Sequence, residues 1–255
     1  MTRPSKSAHV PDSAPRFASA VLVGANGGIG RALAARLIDH NFCGHLFALS
    51  RQPDDSQHHR VSALSADYDA PESLEQAAAT IRASGHTPEL VLIATGVLHG
   101  ASFKPEKSLR QLQPAAAERV FYLNTIGPML AVKALLPLVP RRQHAVVAAL
   151  SARVGSISDN RLGGWYAYRA SKSALNMMLK SAAIEAARQD PTLTCIGLHP
   201  GTVDTALSDP FQANVAPGKL FSPAQCAGYL CQVVAEVEPC RTGQVIAWDG
   251  SSVEP

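Results

Sequence analysis

Tyr168 and Lys172 stand four residues apart in Tyr166-Ala167-Tyr168-Arg169-Ala170-Ser171-Lys172, a segment that reads as the start of a helix. Residues at this spacing share one helix face, so the two side chains are neighbours. Tyr166 is six residues before Lys172 and points elsewhere, which makes Tyr168 the better acid. A free phenol has a pKa of about 10 and exchanges protons poorly near neutrality. An ammonium beside it stabilises the phenolate and lowers that value. The pair is therefore expected to work as a general acid or base at a carbonyl or alcohol oxygen.

Such a group acts only on a reactant held against it, and a glycine cluster indicates what does the holding. Gly24-Ala25-Asn26-Gly27-Gly28-Ile29-Gly30 lies between an apolar run at 20–23 and a helical pattern at 31–40. Glycine lets the backbone turn sharply and approach a pyrophosphate, and the helix behind it offers free N–H groups and a positive dipole end. The spacing is GxxxGxG, a variant of the commoner dinucleotide turn. The next strand ends Leu49-Ser50-Arg51 with no carboxylate to hold ribose hydroxyls. Ser50 can donate a hydrogen bond and Arg51 can pair with a 2′-phosphate, so the expected cofactor is NADP(H); Arg51 also reads as a plain solvated loop cation. Asp67, after the third strand, suits either the adenine edge or the cap of the following turn.

The elements that must position these residues alternate apolar runs with helical patterns, the order of βαβ units. Strands are expected at 20–23, 46–49, 61–64, 90–93, 145–150, 193–198 and 244–248. Helices are expected at 31–40, 71–83, about 115–138 with Pro128 inside, and 166–188. Strands that are apolar throughout have both faces covered. The fold class is therefore α/β, Rossmann-like and doubly wound: a seven-stranded, mainly parallel sheet with helices on both faces. Residues 1–16, with Pro4, Pro11 and Pro15 among polar neighbours, read as a flexible tail, and 17–255 as a single domain.

Composition narrows the function. Hydrophobic residues at 46% and charged residues at 17% describe a globular chain. A formal charge of +3 with scattered Lys and Arg gives nucleic acid or membrane partners no support. No run reaches the roughly 18 consecutive apolar residues that span a bilayer, and the start of the chain lacks the apolar stretch of a secretory signal. Five cysteines without a CxxC pair suit a reducing compartment, and the nine histidines form no metal-ligand spacing. A cytoplasmic protein without a metal is expected.

Taken together, the glycine turn and the Tyr168/Lys172 pair resemble the short-chain dehydrogenase/reductase family over about residues 18–250. The stretch YAYRASKSALN (Tyr166 to Asn176), with GSISDNRLGGW upstream, is similar to the branch holding carbonyl-reductase-like and C-factor-like members. The resemblance implies a nicotinamide cofactor and a Ser–Tyr–Lys centre with a supporting asparagine. That asparagine matches Asn124, in Leu123-Asn124-Thr125-Ile126-Gly127-Pro128. Pro128 has no N–H, so it leaves the Asn124 carbonyl free to hold a water on the way to Lys172; a bare proline kink is the other reading.

Other positions match unevenly. Ile93-Ala94-Thr95-Gly96 stands where the family has NNAG, which leaves Thr95 and Gly96 to meet the cofactor through backbone. The family serine falls on Ala152, three before Gly155; the adjacent Ser151 is taken as the catalytic serine, with Ser156 as the other candidate. His199-Pro200-Gly201-Thr202-Val203-Asp204-Thr205 is similar to the family's PGxVxT turn, implying that Pro200, Gly201, Val203 and Thr205 adjoin the cofactor. Residues 206–221 would form the substrate lid, and Trp165 and Tyr166 either line the cleft or simply pack. The function implied is NADP(H)-dependent reduction of a ketone or aldehyde, or its reverse, on a small carbonyl or alcohol substrate by a homodimer or homotetramer. The alternative is an NADP(H)-binding sensor or signalling protein with little turnover.

Overall fold

Apolar runs form central strands here because a helix layer covers each face. In β1 (Phe17–Val23), Val21 and Val23 enter one core while Ala20 and Leu22 enter the other, and all four are buried. Successive strand side chains point to opposite faces, so a strand with no polar side needs two cores. The same division holds for Leu90 to Ile93 and Ala145 to Ala149. A computed structural model describes residues 14–54 and 58–255. The expected tail therefore lies outside the described residues as far as residue 13, and the polar loop before His59 is described in part.

The remaining strands are β2 (Cys43–Ser50), β3 (Val61–Ser65), β4 (Leu90–Ile93), β5 (Ala145–Leu150), β6 (Leu193–His199), β7 (Thr202–Val203), β8 (Leu220–Phe221), β9 (Val245–Ala247) and β10 (Ser252–Val253). The main sheet runs β10-β9-β6-β5-β4-β1-β2-β3. Seven of its strands are parallel, as expected, and β10 adds an eighth that is antiparallel to β9. Two residues with no apolar run gave no sequence signal for that edge strand. Separately, β7 and β8 pair with each other and close the base of the 206–221 segment.

Helices α1 (Gly28–Asp39) and α6 (Pro223–Glu236) cover one face. The other face carries α2 (Glu72–Ala83), α3 (Pro114–Phe121), α4 (Gly127–Leu135) and α5 (Tyr166–Gln189), with α2, α4 and α5 filling the core. The long helix expected over 115–138 is present but not uniform. A π-helical turn, Tyr122–Ile126, separates α3 from α4. Pro128 cannot donate back into the preceding turn, so the helix widens there instead of keeping its regular ladder. The span Pro114–Leu138 is long and apolar enough to cross a membrane by length and composition. It nevertheless carries Glu118, Arg119 and Lys133, and buries Ala131, Val132 and Leu135 against the sheet.

Candidate active site

Strand order reverses between β1 and β4, since β2 and β3 lie on one side and β5 and β6 on the other. The ends of β1 and β4 therefore splay connections in opposite directions and leave a crevice, the usual ligand site of such sheets. Gly24 stands at the end of β1 with φ +87°, and a Cβ there would lie 2.9 Å from Thr95 Cγ2 at the end of β4. A Cβ on Gly28 would lie 2.7 Å from Thr205 Cγ2. The glycine turn, Thr95 and Thr205 thus meet around one cradle, which side chains at Gly24 or Gly28 would fill.

The first turn of α1, with Gly28, Ile29 and Gly30, has no side-chain cap and no acidic residue. Its first N–H groups have no acceptor within the helix, so the positive end stays available to an anion. By contrast α6 closes its own N-terminus with a capping box of Ser222 and Gln225. Open amides, a close backbone approach and no carboxylate fit a dinucleotide pyrophosphate. At the neighbouring strand end, Ser50 Oγ and Asn26 Nδ2 both donate to the Gln52 carbonyl, at 2.8 and 2.6 Å. They tie the two loops together, while Arg51 is exposed. Asp67 caps its turn, accepting from Asp69 N at 3.0 Å, and Asp69 is paired with Arg119 at 2.5 Å.

Tyr168 and Lys172 lie on the buried face of α5, 8% and 3% exposed. Lys172 Nζ donates to the Leu150 carbonyl at 2.8 Å. A Cβ at Gly96 would be 3.4 Å from both Lys172 Nζ and Asn124 Oδ1, so the ammonium sits between the ends of β4 and β5. Burial pushes the Tyr168 phenol up to about 12 and the Lys172 ammonium down to about 8. In the protein alone, taking each group out of water disfavours its charged form, so the phenol stands above its usual value and the ammonium below.

Asn124 holds this region together. Its Oδ1 accepts from Val97 N at 2.7 Å and its Nδ2 donates to Val97 O at 2.8 Å and to Ser171 Oγ at 3.2 Å. Thr125 Oγ1 donates to the Ser171 carbonyl at 2.7 Å. The π turn therefore presents consecutive residues to both the β4 loop and α5, next to Lys172. Thr125 had no motif to mark it. Tyr68 was missed too: its hydroxyl bonds Thr95 Oγ1 at 2.8 Å and supports the β4 end from beneath.

Neither serine offered by the sequence is bonded to Tyr168 among the described residues. Ser151 N donates to the Leu198 carbonyl and extends the unbulged β5 ladder. Its hydroxyl donates to Asn176 Oδ1 at 2.5 Å, on α5 and about 12 Å beyond Tyr168 along the helix axis. The Ser151 hydroxyl is thus engaged by α5 at Asn176. The strand carries no bulge at this end, and the Ser151 hydroxyl braces α5. Ser156 Oγ donates to the Pro255 carbonyl at 3.2 Å and accepts from Asp159 N at 3.1 Å.

Over this centre lies the 206–221 segment. Val203 is buried at its base, Ser208 Oγ donates to the Val203 carbonyl at 2.5 Å, and His99 Nε2 bonds the Ala206 carbonyl at 3.1 Å. Phe211 meets Trp165 edge-on at 5.1 Å, and Trp165 meets Tyr168 at 6.1 Å. Trp165 therefore joins this segment to the Tyr168 ring, whereas Tyr166 is 39% exposed. Gly201, at φ +77° after Pro200, packs against Phe221 and Trp248.

The fold and site define a doubly wound α/β protein with an anion cradle at its switch point and a buried tyrosine–lysine pair beside it. Residues 18–216 match the model of the short chain dehydrogenase family, and the chain belongs to that family of oxidoreductases. It is 32% identical over 146 residues to C-signal of Myxococcus xanthus, covering 57% of this chain and 82% of that protein. It is 29% identical to 1-hydroxy-2-glutathionyl-2-methyl-3-butene dehydrogenase of Rhodococcus sp. (strain AD45), covering 74% and 77%. Among solved structures, an NADPH-bound carbonyl reductase from chicken fatty liver superposes with TM-score 0.81 at 23% identity, over 97% of each chain.

Proposed function

We propose that this protein is an NADP(H)-dependent oxidoreductase that interconverts a small ketone or aldehyde and its alcohol. The observation that carries the reading is the buried Tyr168–Lys172 pair opening onto the same crevice as the uncapped glycine turn. The nicotinamide supplies hydride when bound. Gly24, Asn26, Gly28, Ile29 and Gly30 would hold the pyrophosphate, with Thr205 closing the cradle. Ser50 and Arg51 would receive the 2′-phosphate, Asp67 would lie by the adenine, and Thr95, Gly96, Pro200, Gly201 and Val203 would flank the nicotinamide side. The Tyr168 hydroxyl donates its proton to the substrate oxygen. Lys172 keeps positive charge beneath the phenol, and Asn124 anchors the loop against which Lys172 rests. Solvent exclusion by Trp165 and Phe211 strengthens these electrostatic contacts.

Purified protein with NADPH and a panel of carbonyl compounds tests the reading directly: turnover of at least one is expected, and tight NADPH binding with no oxidation across the panel would count against it. That outcome would favour the second reading, a nucleotide-binding signalling protein. The observation behind this alternative is the absence, among the described residues, of a serine hydroxyl bonded to Tyr168.

Cofactor choice gives a sharper test. Arg51→Asp should weaken NADPH by roughly 10- to 100-fold, the worth of a charge-assisted phosphate contact, and leave NADH nearly unchanged. Equal losses for both cofactors in a binding titration would remove Arg51 from the phosphate site.

The vacancy for a serine at Ala152 gives another. Ala152→Ser adds a hydroxyl where the family places one and should raise kcat about tenfold, a conservative fraction of one transition-state donor. Ser151→Ala should leave kcat near wild type and lower the melting temperature slightly, because it strips Asn176 of a donor. A large kcat loss in Ser151→Ala would restore that residue to the catalytic centre.

The exposed Ile126, Met177, Met178 and Ile184 on the outer side of the π turn and α5 support a homodimer or homotetramer through these helices. Free cysteines at 43, 195, 226, 231 and 240 support a reducing, cytoplasmic setting.

A further inference from the structure

The helix carrying Tyr168 begins in an unusual way. Gly163, Gly164 and Trp165 are successively left-handed, with φ of +63°, +64° and +51°. Two glycines adopt this region freely, but a tryptophan there costs about 1–2 kcal/mol. Trp165 is the N-cap of α5, supplies no side-chain cap, and is followed by no acidic residue in the first turn. A helix start that is strained and uncapped needs support from elsewhere.

That support is Glu106. It lies in a polar stretch, Lys104-Pro105-Glu106-Lys107, that reads as a solvated loop, yet it is only 5% exposed. Its backbone carbonyl accepts from Trp165 N at 2.5 Å. Its carboxylate Oε2 accepts from Ala167 N at 3.3 Å, one of the amides that a helix leaves without an internal partner. A Cβ on Gly164 would lie 3.3 Å from the Glu106 carbonyl, so the chains are in close contact there. One residue therefore grips the helix on both sides of Tyr166, and Tyr168 follows immediately. From the other side, Arg169 Nε donates to Gly164 O at 3.1 Å and Nη1 donates to Val154 O at 3.3 Å. Glu106 makes no ion pair among the described residues, which leaves its carboxylate to the helix amide.

We propose that Glu106 is a positioning residue that sets where the Tyr168 hydroxyl stands by holding the first turn of α5 through Trp165 and Ala167. The proposal rests on the catalytic reading of Tyr168 given above. It is the reach of the acceptor that matters, more than its charge, because the contact is a hydrogen bond to a single amide.

Two substitutions separate reach from charge. Glu106→Gln keeps the length and an acceptor oxygen but loses the charge; Glu106→Asp keeps the charge but is one methylene too short. Glu106→Asp should lower kcat by roughly 10- to 100-fold, the scale of a misplaced catalytic group, with KM and NADPH affinity unchanged. Glu106→Gln should restore most of that loss. The reverse ranking, or equal kcat in wild type and Glu106→Asp, would overturn the proposal. Amide hydrogen exchange reads the same point without turnover: in Glu106→Asp the Ala167 amide should exchange about tenfold faster, in keeping with one lost hydrogen bond. Unchanged exchange would also overturn it. A wild-type protein without turnover that still shows the exchange difference would sink the catalytic reading alone.

Discussion

Replacing Tyr168 with phenylalanine is expected to lower kcat about a thousandfold, within the range that a general acid contributes, while NADPH affinity and melting temperature stay near wild type. The ring remains to meet Trp165 at 6.1 Å, so this packing is preserved. The hydroxyl has no hydrogen-bond partner among the described residues, so its removal leaves no protein group unsatisfied. What disappears is the hydroxyl proposed above as the proton donor. Steady-state kinetics beside a cofactor titration make the comparison, and turnover surviving in this variant would reject the mechanism outright.

Lys172→Met is expected to cost about two to three orders of magnitude in kcat, again the general acid–base range, without lowering the melting temperature. Burial holds the ammonium at a pKa of about 8 instead of the usual 10.5. That difference corresponds to roughly 3 kcal/mol by which the fold opposes the charge. Methionine removes this cost and fills similar space, and the Leu150 carbonyl loses a charged donor worth roughly 1.5–3 kcal/mol. The two effects leave stability unchanged or improved. In the wild type, reductive turnover should decline as pH rises through about 8, where Lys172 releases its proton, and the variant should lack that step. The linkage has a definite sign: between about pH 8 and 10.5 the unfolded chain holds the proton and the folded one does not, so this group's contribution to stability rises with pH there. A steep fall in melting temperature for Lys172→Met would show that the lysine serves the fold instead of the chemistry.

Much of the framework was legible because it depends on local periodicity. β4 and β5 were expected at 90–93 and 145–150 and form over those residues, since a buried parallel strand needs an unbroken apolar run. The glycine turn was legible for a similar reason: a backbone at φ +87° against Thr95 leaves little choice of residue at 24. The π turn was only half legible. Pro128 announced a disturbance, but whether a helix kinks or widens depends on what the freed turn can bond, and here Asn124 and Thr125 find Val97 and Ser171. The bond of Ser151 was not legible because its partner, Asn176, lies across the sheet–helix interface. Glu106 went unnoticed because charged neighbours hide a buried carboxylate.

By itself, then, the chain's order of residues settled the layers of the fold, the turn at the switch point and the placing of Tyr168 and Lys172 on one helix face. Each follows from covalent geometry repeating over a few residues. Tertiary structure decided which hydroxyls remain available, which carboxylate caps α5, and that burial disfavours the charged form of each member of the pair. Those outcomes turn on solvent exclusion and on bonds between segments tens of residues apart, and no local pattern encodes either.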